Sequence, residues 1–298
     1  MPSEPSLLEA LLPLVLLVPA MVATLWIDRR TEALGQTPPG FLQPGRRLVV
    51  FSALAFVFWL TIFLPLLSLG EVPEFDPEKV SFAAVFLVQA LLFAVLVLWY
   101  TLGFGFGAGA GPVEENPQKA WPRILQELGL PRVDWRQELG VGLVAGVLAW
   151  GLVLMAAMLL GAIFLVLGGD SWIEQEPPGA IVWLAGLPVG HRLLVSLSAG
   201  VFEEIFFRGF LQGRIGIFAA TLFFIAGHAG YGQPFMFFGL AILSTIYGLL
   251  TWWRGSVWAA IVAHFVFDAI QLLVVIPWSL QMMATPPAEG SLALAWIC

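Results

Sequence analysis

The sequence predicts an all-α, polytopic transmembrane helical bundle of about eight helices, and three observations carry that expectation. Apolar residues fill 59% of the 298 positions and charged residues only 11%, against roughly 45–50% and about 25% in soluble domains. The apolar residues fall in eight runs, most of them near the ~20 residues that a helix needs to cross a bilayer core. No run of about ten residues alternates apolar with polar, as the strands of a membrane barrel must. A helix satisfies its own backbone hydrogen bonds, which lipid cannot do for it. The 13 Trp and 24 Phe suit a lipid-facing or interfacial surface.

The first run, 7–27, has Glu4 and Glu9 at its start rather than the basic stretch of a secretory signal. It therefore reads as a retained first transmembrane helix. Runs at 47–69 and 81–102 complete an N-terminal three-helix membrane region, 1–102. Residues 103–138 form the one extramembrane piece of any size, read as a cytoplasmic loop. It opens on a glycine-rich stretch, Gly103 to Gly111, without the Lys-Ser or Lys-Thr that would make it a phosphate cradle. Trp121 to Leu128 follows as an interfacial amphipathic helix with Arg123 and Glu127 at i, i+4. The remaining runs, 139–167, 192–212, 215–229, 235–253 and 255–277, make a core at 139–277, with a tail at 278–298. The run at 215–229 is short and is either a half-length or a tilted helix, which would reduce the count to seven.

Basic residues orient the chain. With the loop after the first helix in the cytoplasm, ten of the 13 Lys and Arg residues fall inside, among them Arg29, Arg30, Arg46, Arg47, Arg214 and Arg254. The positive-inside rule then puts both termini on the non-cytoplasmic face of a multi-pass protein of the plasma membrane. A net charge of −7 argues against a nucleic-acid partner. The single cysteine, Cys298, excludes an intrachain disulfide and a Cys-clustered metal site.

Ionisable groups inside membrane helices each cost about 2.5–3.5 kcal/mol at a helix centre on insertion scales, so they persist mostly where they pair or work. Here they concentrate in three C-terminal runs: Glu203, Glu204 and Arg208; His228; and His264 with Asp268. Glu204 and Arg208 are i, i+4 and can pair, whereas Glu203 is rotated about 100° away. Glu203 is thus the carboxylate left for acid–base work, unless all three form one buried ionic lock. His264 and Asp268 are also i, i+4, as in a carboxylate-oriented histidine or a simple packing hydrogen bond. His228 sits among Gly227, Gly230 and Gly232 and also reads as a helix end; His191, beside Arg192, reads as a solvated flank.

Together, Glu203-Glu204-Ile205-Phe206-Phe207-Arg208, Phe224-Ile225-Ala226-Gly227-His228 and His264-Phe265-Val266-Phe267-Asp268 match E-E-x-x-x-R, F-x-x-x-H and H-x-x-x-N/D in order. Over about 139–277 the chain resembles the CPBP family of CAAX proteases and bacteriocin-processing enzymes, also called the Abi family, which includes the Ras-converting CAAX endopeptidases. The resemblance implies an intramembrane glutamic endopeptidase without a metal or other cofactor, acting on a membrane-associated protein or peptide within the lipid bilayer. Glu203 would activate water held by His228, Glu204 and Arg208 would support the site as an ion pair, and His264 with residue 268 would stabilise the oxyanion. The family's usual Asn is Asp268 here, and an ionised Asp only accepts hydrogen bonds. It must then be protonated or orient His264.

The rival enzymatic reading is a zinc site on Glu203, His228 and His264, for which the H-E-x-x-H helix is absent. Outside enzymes, the same polar cluster suits a non-catalytic membrane binding protein or a bacteriocin self-immunity protein. A carrier is disfavoured because the polar residues sit in one half of the chain only.

Overall fold

A computed structural model describes residues 7–69, 75–104, 117–167, 178–231 and 236–284, and every regular element among them is helical. Most of the glycine-rich stretch, 105–111, and Cys298 lie outside the described residues. In chain order the α-helices are α1 (Leu7–Val15), α2 (Leu17–Ala33), α3 (Pro44–Phe58), α4 (Leu87–Phe104), α5 (Pro117–Glu127) and α6 (Trp135–Val166). Then come α7 (Gly179–Gly186), α8 (Val189–Glu203), α9 (Gln212–Gly227), α10 (Met236–Arg254), α11 (Trp258–Ile270) and α12 (Ile276–Ala284). Wider π turns follow α3 at Trp59–Phe63, α8 at Glu204–Leu211 and α11 at Gln271–Val275.

Seven helical stretches among the described residues are long and apolar enough to cross a membrane, and the longest, Val189–Tyr231, has 43 residues. That stretch makes two passes. Gly216 has φ 83°, a left-handed conformation that only glycine adopts without strain, and the chain turns back there. The rings of Phe207 and Phe224 come to 5.2 Å, although residues seventeen apart in a straight helix are separated by about 25 Å. The runs read at 192–212 and 215–229 are therefore a hairpin, and a bundle of about eight helices stands. The chain is a multi-pass membrane protein. Its outer surface agrees: on α6, Leu148, Met155 and Leu159 are each more than half exposed, a stripe that water would not tolerate.

Glycines set how closely the site-bearing helices approach. A Cβ at Gly142 would lie 2.5 Å from Val262, and one at Gly146 would lie 2.7 Å from the carbonyl of Ala263. From the other side, a Cβ at Gly200 on α8 would lie 2.9 Å from the carbonyl of Ile261. Small residues let backbones meet where lipid offers no hydrophobic drive between helices. Helix α11 is thus gripped between α6 and α8 on either side of His264.

The N-terminal helices share an apolar core with the turn that follows Glu203. Phe58 meets Phe206 at 6.3 Å, and Trp99 meets Phe210 at 4.8 Å, both edge-on. The amphipathic helix expected near Trp121 is α5, with Ala120 and Ile124 turned into that core and Arg123 donating to Glu127 at 3.0 Å. Beyond α5, Gly209 packs where the Leu128 carbonyl leaves no room for a side chain, and the Val257 amide donates to the Gly129 carbonyl at 2.8 Å.

Basic residues gather at this end. Arg30 donates to the Arg214 carbonyl at 3.3 Å, and Arg47 and Arg254 pair with Asp28 and Glu138 at 2.6 and 2.5 Å. The side chain of Arg214 is buried, 3.6 Å from Glu127, with its guanidinium over the rings of Phe210 and Trp99.

Candidate active site

Three separate elements bring the candidate residues together. Glu203 ends α8, and Glu204 opens the π turn, whose wider spacing often marks functional positions in helices. His228 caps the end of α9, and His264 and Asp268 lie one turn apart on α11. A cavity of about 680 Å³ reaches Glu203, His228, His264 and Asp268, but neither Glu204 nor Arg208 is among its lining residues. Most of its wall is apolar, with a few polar groups, as in small-molecule and peptide sites generally.

The two adjacent glutamates have different surroundings. Glu204 is completely buried, and its Oε1 accepts from His264 Nδ1 at 2.8 Å while lying 3.2 Å from Arg208 Nη1. The guanidinium of Arg208 rests over the Phe224 ring at 4.4 Å and reaches the Ser244 carbonyl at 3.5 Å. Glu203 is half-buried, and its Oε2 has no hydrogen-bond partner among the described residues. His228 Nε2 lies 3.9 Å from that oxygen. An ionic lock of all three charges is not what the geometry builds, since Arg208 pairs with Glu204 and not with Glu203.

The hydrogen bonds also fix histidine tautomers. His228 Nδ1 lies 2.8 Å from the Phe224 carbonyl. A carbonyl can only accept, so Nδ1 carries the proton, and neutral His228 presents a lone pair at Nε2 toward Glu203. His264 likewise donates from Nδ1 to Glu204, which turns Nε2 toward Asp268 Oδ2 at 3.5 Å. That distance is too long for a hydrogen bond. His264 is held by Glu204 and by Tyr247, whose ring stacks on it at 5.2 Å and 22°.

Sequence reasoning followed charges and so missed the neutral polar groups. Gln89 on α4 and Gln271 after α11 both line the cavity, each with a buried Oε1 lacking a partner among the described residues. Both interrupt apolar runs, and that interruption was a usable signal. Tyr247 had none, because a tyrosine on an apolar helix reads as core. The Glu204–His264 bond spans 60 residues, beyond any local pattern. Among the described residues, no three His, Cys, Asp or Glu side chains are grouped to hold one metal ion.

Residues 185–270 match the family model described as type II CAAX prenyl endopeptidase Rce1-like. These residues resemble an Rce1-like domain. Every candidate residue from Glu203 to Asp268 falls inside it, whereas α6 and the N-terminal helices fall outside. The uncharacterized protein YpbD of Bacillus subtilis (strain 168) is 34% identical over 83 residues, which cover 28% of this chain and 44% of that protein. The match thus spans less than half the length of that curated relative. No solved structure matches the chain. The match over 185–270 agrees with the resemblance read from the three motifs.

Proposed function

We propose that this chain is a CAAX-protease-like intramembrane endopeptidase that hydrolyses peptide bonds with a water activated by Glu203 and His228. The observation that carries this reading is the unpartnered Glu203 Oε2 facing His228 Nε2 across 3.9 Å at the cavity wall. One water at about 2.8 Å from each atom bridges such a pair, donating one hydrogen to the carboxylate and one to the imidazole lone pair. Glu203 removes a proton as the water oxygen attacks the scissile carbonyl. The tetrahedral oxyanion then collapses, the C–N bond breaks, and Glu203 returns the proton to the leaving amine. General base and acid assistance of this kind contributes roughly 10²–10⁴-fold.

His264, when protonated at Nε2, donates to the developing oxyanion, with Glu204 and Arg208 holding it from behind. Glu204 accepts from Nδ1, so Nε2 is the atom presented to the cavity. The apolar wall suits a membrane-associated protein or peptide that enters with apolar or lipid-modified residues. The same reading places the protein in the plasma membrane with both termini non-cytoplasmic.

The test is cleavage by purified, detergent-solubilised protein of a fluorogenic peptide ending in a farnesylated CAAX box, beside the same peptide without the lipid. Glu203→Gln keeps the shape and removes the base, so turnover should fall by at least about 10²-fold while protein yield is unchanged. Equal turnover by the variant and the wild type would exclude the glutamate mechanism.

A further inference from the structure

Oxyanion stabilisation needs donors aimed at the developing charge, and this site is short of them. Neutral His264, with its Nδ1 proton on Glu204, offers only a lone pair at Nε2. Asp268, where the resembled family has Asn, offers a donor only when protonated. Beside them lies Tyr247 of α10, 1% exposed, with its ring flat against His264 at 5.2 Å. Its hydroxyl is buried and has no hydrogen-bond partner among the described residues, although Tyr247 lines the catalytic cavity. The Arg208 guanidinium lies 5.6 Å from the centroid of the Tyr247 ring, which sets the residue beside the site's charges.

A buried phenol usually finds a partner, and leaving one unsatisfied is destabilising. Such a cost is retained most readily where the missing partner arrives with the substrate. Tyr231, the other tyrosine of the cavity, packs on His228 at 6.0 Å and so belongs to the water-activating side.

We propose that the Tyr247 hydroxyl is a catalytic residue that donates a hydrogen bond to the oxyanion of the tetrahedral intermediate, beside His264 Nε2. This rests on the endopeptidase reading above. The substrate carbonyl carries little charge before attack, so the bond strengthens in the transition state and acts on kcat rather than on KM. It also explains how a site with Asp268 in place of an amide still presents a neutral donor.

The experiment uses the full-length protein in detergent with the farnesylated fluorogenic peptide. Tyr247→Phe removes one O–H and keeps the ring on His264. The expected result is a fall in kcat of roughly 10²–10³-fold, as for loss of one oxyanion donor, with KM and melting temperature unchanged. A full kcat in Tyr247→Phe, with Glu203→Gln inactive, overturns the tyrosine assignment and leaves the endopeptidase reading standing. Activity that is independent of Glu203, or wild-type protein that cleaves neither peptide, overturns the reading and the assignment with it. Fluorinated tyrosine placed at 247 provides a second readout should Tyr247→Phe fold poorly. Its hydroxyl ionises at lower pH, and a phenolate cannot donate, so the alkaline fall in kcat should move to lower pH. A pH profile identical to wild type overturns the assignment.

Discussion

At the residue scale the decisive contrast is between neighbours of identical chemistry. Glu203 and Glu204 differ in what surrounds them: one faces the cavity without a partner, the other is saturated by His264 and Arg208. Asp268 departs from the resembled family, and its geometry bears on which of its two sequence-derived roles it fills. At 3.5 Å from His264 Nε2 it does not hold the ring, a task Glu204 and Tyr247 already perform. Asp268→Asn should therefore keep or raise turnover, because an amide donates toward an oxyanion without needing protonation. Asp268→Leu should lower turnover by about 10²-fold or more, as expected for removal of a donor. Turnover measured against pH for wild type and both variants checks this. A large loss in Asp268→Asn at every pH would instead show a carboxylate that orients or charges His264, as when the carboxylate of a hydrolase triad is neutralised.

Among the elements, α11 is positioned by what its neighbours lack. Gly146 admits the Ala263 carbonyl and Val266 at 2.7 and 2.8 Å from where its Cβ would be, and only absent side chains allow that approach. Gly146→Leu should displace α11 and lower stability by about 1–3 kcal/mol, the usual cost of overpacking, with loss of activity as His264 moves. Gly151, on the same helix, has nothing within 4 Å of its Cβ position. Gly151→Leu should be neutral or slightly stabilising, since glycine costs roughly 0.8–1.0 kcal/mol in a helix interior. Thermal unfolding of the two variants in one detergent measures the difference. Equal melting temperatures would mean that the α6–α11 contact does not limit stability.

For the whole molecule, the hairpin at Gly216 determines how many times the chain crosses the membrane, and hence whether its two ends share a side. Eight passes would place both termini together, and the proposed orientation puts the basic residues around Arg30, Arg47, Arg214 and Arg254 on the cytoplasmic face. Cys298 is the only cysteine in the sequence, so a membrane-impermeant maleimide reports its side directly. Labelling of Cys298 in intact cells is the expected outcome. In Cys298→Ser protein, Gln36→Cys in the loop after α2 should react only after lysis. The reverse pattern would invert the topology, and labelling of both in intact cells would refute the eight-pass count.

Composition and run length determined the membrane class and the helical fold, because both are sums over residues that no packing detail can reverse. The three motifs were equally legible, since i, i+4 spacing on a helix places side chains together without reference to the rest of the chain. Glu204–Arg208 is such a pair. Only the tertiary structure decided what crosses between helices. It joined Glu204 to His264 and set His228 opposite Glu203, and it laid Tyr247 against the His264 ring. It also turned the short run at 215–229 back along its predecessor, through one glycine with positive φ. Such relations depend on backbone approach and on hydrogen bonds between residues tens of positions apart, whereas hydrophobic periodicity reports only the face that a helix buries.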